Sequence, residues 1–290
     1  MKPSRIVAVG LSVLAAVAPA RAACADRTRP TDVPFVSPGH GQVVIPVFVS
    51  GAGPYRFLLD TGSSHTVISQ SLATTLGAVT VAKVPFETSV RSIPALVVRL
   101  SDVAVGSARV EFLLATSLPP DVVDVLGDGI SGVLGQDFLS QFDYTLDYRT
   151  SRLSWDGGRI AKGVRLALES SHGRFLVHLP QAERCGCAVR LVPDSGANGV
   201  VLFAGTDADR LPINAGVTSM QVSTLAGDGT ARGVIVRELL IAPATLRDLP
   251  AARVVLPGDT IEDGDGLLPL SLFDRVSFRP HARYMVVQPR

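Results

Sequence analysis

Phe57-Leu58-Leu59-Asp60-Thr61-Gly62-Ser63-Ser64-His65-Thr66-Val67-Ile68-Ser69 is the stretch that decides how this chain is read. An apolar run leads straight into Asp60-Thr61-Gly62, and a second apolar run follows. Short apolar runs bounded by turn formers read as buried strands. Asp60 is therefore expected where a buried strand ends in a tight turn, not on a polar surface loop. The layout recurs 134 positions later, at Leu191-Val192-Pro193-Asp194-Ser195-Gly196-Ala197-Asn198-Gly199-Val200-Val201-Leu202-Phe203.

An isolated Asp-[Ser/Thr]-Gly triplet arises by chance in roughly one chain in ten of this length, and a single copy reads as a turn. The offset of 134 carries more weight because it holds elsewhere. Pro46 falls on Pro180, Gly132-Val133-Leu134 on Gly266-Leu267-Leu268, Phe138-Leu139 on Leu272-Phe273, and Phe142 on Val276. Asp60 to Gly132 and Asp194 to Gly266 are both gaps of 72. Two copies of one unit, each raising a carboxylate on a matching turn, are expected in a single chain.

A length of 290 residues with 47% hydrophobic and 18% charged residues fits one large domain or two smaller ones. Val and Leu are abundant and long helical periodicity is scarce, which favours a mainly β protein. Residues 1–22 read as a secretory signal peptide, with Lys2 and Arg5 at its start, an apolar run from Ile6 to Ala18, and an Ala20-Arg21-Ala22 cleavage site. A periplasmic or secreted location follows. A retained membrane anchor is the rival, and Cys24 raises a lipoprotein option, opposed by Arg21 where such signals carry Leu. No other stretch is long and apolar enough to span a bilayer as a helix. Without the leader the net charge falls from +1 to −2 as Lys2, Arg5 and Arg21 leave, which is no nucleic-acid footprint. Cys24, Cys185 and Cys187 leave one thiol over in any pairing. No histidine shows metal-ligand spacing, and no metal or cofactor is expected.

In chain order, 23–41 reads as a flexible entry segment, 42–157 as one lobe and 158–290 as a second. Gln42–Val49 and Tyr55–Leu59 form a hairpin delivering Asp60. Ser71–Gly77 suits a short helix stopped by Gly77. Val103–Ala115 turns at Gly106-Ser107, Pro119–Gly132 reads as a solvated loop, and Asp137–Phe142 as a short helix. Tyr144–Tyr148 and Leu153–Trp155 close the first lobe. In the second, Phe175–Leu179 and Val189–Val192 deliver Asp194. Gly227, Asp228 and Gly229 form the glycine-rich tip of a later hairpin, the flap candidate.

With these residues the chain resembles the pepsin–retropepsin superfamily of aspartic peptidases, in its bacterial two-lobed, retropepsin-like form. The marks are Phe57-Leu58-Leu59-Asp60-Thr61-Gly62, Thr66-Val67-Ile68 and Gly132-Val133-Leu134-Gly135-Gln136-Asp137-Phe138-Leu139 in the first half. Asp194-Ser195-Gly196-Ala197 and Gly266-Leu267-Leu268 are the marks in the second. The resemblance implies a bilobal all-β fold with a cleft between lobes. It also implies Asp60 and Asp194 as the catalytic pair, Thr61 and Ser195 binding across to the opposite lobe, and Gly62 and Gly196 permitting close approach. A peptide or protein substrate and a monomer carrying both acids follow from it, and a peptide-binding pseudopeptidase is the alternative. Pro269 in place of Gly135, and a first-lobe flap region (Val84–Val98) without glycine or tyrosine, depart from the pattern.

Overall fold

The computed structural model describes residues 5–7, 23–25, 31–39, 41–87, 92–127, 129–155, 162–181, 186–224, 227–256 and 264–290. Two β-sheets of matching strand order build two lobes, and a third sheet joins them. In the first lobe the central strands run Ala108–Leu118, Val67–Ser69, Gly132–Leu134, Ala52–Leu59, Val43–Val49. In the second they run Ala244–Val254, Val200–Phe203, Gly266–Pro269, Cys187–Asp194, Arg174–Gln181. The mainly β, two-lobed architecture expected from the repeat is the one observed.

Each acid sits at the end of a strand held on both sides. Gly132–Leu134 lies parallel to Ala52–Leu59 and antiparallel to Val67–Ser69, so the strand delivering Asp60 is locked in a sheet interior. Gly266–Pro269 does the same between Cys187–Asp194 and Val200–Phe203. The repeated glycine is a steric requirement. A Cβ on Gly132 would fall 2.2 Å from the Val67 carbonyl oxygen, and one on Gly266 would fall 2.1 Å from that of Val201. Apolar side chains alternate across these strands. Leu58, Val67 and Val133 pack on one face of the first-lobe sheet. Val192, Val201 and Leu267 pack on the equivalent face of the second. Phe57, Leu59, Leu191 and Leu202 enter the main core.

The joining sheet is ordered Val164–Ala167, Tyr284–Pro289, Phe273–Arg279, Tyr144–Asp147, Arg152–Trp155, Asp32–Pro34. At its middle Tyr144 pairs with Phe278, two positions that are themselves 134 apart. Their rings stack at 4.9 Å with an interplanar angle of 16°. A pair of repeat-equivalent residues facing one another must straddle the pseudo-twofold axis, so that axis passes between these rings.

Several expectations need correction. Part of the supposedly flexible entry is built into the fold. Asp32–Pro34 pairs with Arg152–Ser154, because Val33 and Phe35 are buried there. Pro119–Gly132 is not a bare solvated loop: Pro120–Val123 is helical, and Val123, Leu126 and Ile130 cover the first-lobe cluster. The helix expected over 137–142 occupies Gln136–Leu139. The helix near Ser71 spans Gln70–Thr75, capped by Ser69 Oγ and followed by Gly77 at φ 59°. Pro46 and Pro180 are not equivalent: Pro46 pairs with Arg56, whereas Pro180 pairs with Ala188, two positions short of the expected partner. The second-lobe hairpin is thus two residues longer, and along the first strand of each hairpin the repeat offset is 132 rather than 134.

Candidate active site

The two Asp-[Thr/Ser]-Gly turns meet on the axis. Thr61 and Ser195 exchange four hydrogen bonds between lobes. The Thr61 hydroxyl donates to the Pro193 carbonyl at 2.7 Å and accepts from the Ser195 N–H at 3.0 Å. The Ser195 hydroxyl donates to the Leu59 carbonyl at 2.7 Å and accepts from the Thr61 N–H at 3.1 Å. Both hydroxyls are satisfied twice, as buried polar groups must be. Every partner is the 134-offset image of the other lobe's partner, so the exchange is twofold in detail.

Within each turn the acid is held by its own loop. Asp60 Oδ1 accepts from the N–H groups of Gly62 at 2.8 Å and Ser63 at 3.1 Å. Asp194 Oδ1 accepts from Gly196 at 2.7 Å and Ala197 at 2.9 Å. Each Oδ2 lies outside its loop's cradle, and each carboxyl acts on the other's ionisation. Neither Oδ2 has a hydrogen-bond partner among the described residues. Gly62 and Gly196 make this approach feasible. A Cβ on Gly62 would fall 2.7 Å from Asp194 Cγ, and one on Gly196 would fall 2.8 Å from Asp60 Cγ.

Both acids are buried, and burial is the first reason both carboxyls are held above the ordinary carboxylate range. For Asp60 the negative charge of Asp194 adds to the rise. The loop N–H groups pull the other way on both. Two such groups share protons as a pair, with ionisations that belong to neither alone. A site with one proton between two carboxylates can offer a base and an acid simultaneously.

The aspartyl protease family model matches residues 45–138 and again 181–272, one match per lobe and together more than half of the chain. The chain belongs to the aspartyl protease family. A crystal structure of a retropepsin-like aspartic protease from Rickettsia conorii is similar to it at 21% identity, over 43% of this chain and 87% of that one, with a TM-score of 0.31. No curated protein matches the chain.

The remaining expected site residues are placed less simply. Gly227, Asp228 and Gly229 are not the hairpin tip. They begin the strand Gly227–Ile241, with Thr224 opposite Gly227, and the connecting 225–226 lie outside the described residues. The first-lobe flap region forms the hairpin Val79–Glu87 and Ser92–Val105, and its connection at 88–91 is likewise outside. Phe86 and Ile93 on that hairpin are buried against the first lobe. Pro269 extends the second ladder by one residue, to face Asp194. The first lobe cannot do this with a side chain, because a Cβ on Gly135 would fall 2.6 Å from the His65 backbone. His65 is half-buried, bonds Ser64 Oγ through Nδ1 at 2.8 Å, and has its pKa lowered by burial. The side chains of all three cysteines lie outside the described residues.

Supporting residues emerge that motif reading did not assign. Gln136 Nε2 donates to the Thr61 carbonyl at 2.9 Å, and its N–H donates to the Ser63 carbonyl at 2.8 Å. The Asp137 carboxylate accepts from the Thr66 N–H at 2.8 Å, the Thr66 hydroxyl at 2.7 Å and the Phe138 N–H at 2.9 Å. The second lobe has Leu270, Ser271 and Val200 at these positions, so only the first turn is braced this way. Gln42 crosses the lobe boundary, its Nε2 donating to the Gly196 carbonyl at 3.0 Å. Tyr148, from the joining sheet, lies within the electrostatic reach of Asp194.

Proposed function

We propose that this chain is an exported aspartic endopeptidase in which Asp60 and Asp194 activate water against a peptide bond. The observation that carries the reading is the twofold pair of buried carboxyls, each with one oxygen fixed by its loop and the other left for its partner. The ionised member takes a proton from water as the water oxygen attacks the carbonyl carbon. The protonated member gives its proton to the carbonyl oxygen. The resulting gem-diol collapses when the amide nitrogen gains a proton and the C–N bond breaks, leaving a carboxylic acid and an amine. No covalent enzyme adduct forms, and no metal or cofactor is needed. Thr61 and Ser195 hold the two turns at fixed separation, and the hairpin of Ile213–Thr224 and Gly227–Ile241, whose second strand Gly227, Asp228 and Gly229 begin, covers the substrate. Export rests on the leader at 1–22, with a periplasmic or secreted location, lobes spanning 42–157 and 158–290, and one chain per catalytic unit. Among the described residues no helix is long and apolar enough to cross a membrane.

A peptide-library digest with and without pepstatin tests the reading. Cleavage that pepstatin abolishes supports the peptidase. Pepstatin binding without cleavage would move the chain to the peptide-binding alternative, which the packed-down first-lobe hairpin favours.

A further inference from the structure

His40-Gly41-Gln42 and His172-Gly173-Arg174 are a second repeated triplet, 132 apart and invisible at the offset that matches the acids. The strand registers show why they correspond. In the first lobe Val43 pairs with Leu59, which sets Gln42 opposite Asp60. In the second, Val177 pairs with Leu191, and the same antiparallel register continued three residues sets Arg174 opposite Asp194. Strand periodicity agrees. Arg174 and Leu176 alternate with Phe175, as Asp194 and Val192 alternate with Pro193, so Arg174 shares the sheet face of Asp194.

Both glycines abut the opposite lobe. A Cβ on Gly41 would fall 2.1 Å from Ser271 Cβ, and one on Gly173 would fall 3.2 Å from Ser64 Cβ in the first acid turn. The glycines take φ of 89° and 79°, which glycine adopts without strain. The residue that follows is therefore carried to the lobe boundary beside the acids. In the first lobe it is a neutral amide, Gln42. In the second it is Arg174, which carries a guanidinium, and it is 1% exposed. A buried cation requires a nearby anion, and the ionised dyad is the anion on its face.

We propose that Arg174 is a positioning residue that supplies the dyad with one buried counter-charge and so sets the pH range in which a single carboxylate of the pair is ionised. This rests on the reading of Asp60 and Asp194 as a working pair. The Arg174 charge acts on Asp194 in the direction that favours ionisation, against the larger effect of burial. Other titratable or charged groups surround the pair. Asp60 enters from the first lobe and Tyr148 from the joining sheet, with Arg290 acting on Tyr148. His65 and Asp137 lie in and behind the first-lobe turn. Arg174 differs from all of them in being a guanidinium buried on the dyad's own sheet face.

The test is a pH titration of the full-length protein carrying 13C-labelled Asp carboxyls, assigned with Asp60→Asn, Asp194→Asn and Asp137→Asn. Arg174→Gln installs the first-lobe residue. It is expected to move the pair's first ionisation up by about one pH unit, tenfold in proton affinity, since removing a close cation disfavours the anion. Arg174→Lys should restore it, which a purely structural guanidinium would not allow. Gln42→Arg should move it down. The acid limb of kcat/KM should follow each shift while KM stays near the parent value. A first ionisation unchanged in folded Arg174→Gln overturns the proposal. If that variant does not fold, an unchanged ionisation in Gln42→Arg overturns it instead. The carboxyl signals report whether or not peptide is cleaved. Shifted ionisations in a protein that cleaves nothing would sink the peptidase reading alone, and normal cleavage with unmoved ionisations would sink this one alone.

Discussion

The Thr61 and Ser195 hydroxyls each hold one N–H and one C=O of the opposite turn in place, so deleting one hydroxyl strands a buried N–H and a buried C=O together. An unsatisfied buried group costs about 1–3 kcal/mol. Ser195→Ala and Thr61→Ala should each lower Tm by several degrees and reduce turnover, while the double variant loses less than the sum because the two sites share one network. Thermal melts and kcat on the four proteins check this, and an unchanged Ser195→Ala would remove the cross-lobe lock as a stabilising device. Asp60→Asn and Asp194→Asn should fold, since Asn is near-isosteric and like-charge repulsion disappears, yet lose at least ~10³-fold in kcat/KM, the scale of general acid–base catalysis. Both carboxyls are raised by burial, so the alkaline limb of activity should lie above the ordinary carboxylate range. Asp137 shows the sign of the same effect on stability. Burial lifts its carboxyl from 3.8 to about 6 despite three hydrogen bonds to it. The folded state then holds the proton more tightly, so the free energy of unfolding falls as pH rises across that window, by at most roughly 1.4 kcal/mol per unit. Melts between those limits should show Tm falling with pH, less steeply in Asp137→Asn. The acids, hydroxyls and glycines of the two turns were legible because each triplet is contiguous and the offset exposes the pair. Gln136, Asp137, Gln42 and Tyr148 were not assigned roles, because each acts through contacts fixed only by the packing of distant strands.

The strands carrying the acids depend on glycine at one position each. A methyl on Gly132 would overlap the Val67 carbonyl oxygen and force apart three strands that define the Asp60 turn. Gly132→Ala should therefore fail to accumulate as folded protein, whereas Gly51→Ala, with nothing within 4 Å, should retain the fold at a modest cost from φ of 77°. Soluble yield and far-UV circular dichroism separate the two outcomes. Strand positions around the acids were readable from apolar runs between turns. Hairpin lengths were not, because a strand end is set by its partner. Gly227-Asp228-Gly229 reads as a tip by composition and becomes a strand start once Thr224 pairs with Gly227. The two-residue difference between the hairpins is hidden in the sequence for a related reason, since a chance Pro46–Pro180 match conceals it.

The lobes are joined by a sheet in which Tyr144–Asp147 pairs directly with Phe273–Arg279, so the halves share one core across the axis. One chain should therefore be the whole catalytic unit. Specific activity should hold constant on dilution, checked by kcat per chain from micromolar to nanomolar protein beside sedimentation analysis. A fall that tracks dissociation of a dimer would count against it. The same covalent union has a hereditary side. In an assembly of two identical chains every codon is read into both halves, so an arginine beside one acid brings a second beside the other. Here the two halves descend through separate stretches of one gene, and glutamine on one side can face arginine on the other. Joining the copies gives selection an odd number of charges to work with at a twofold centre.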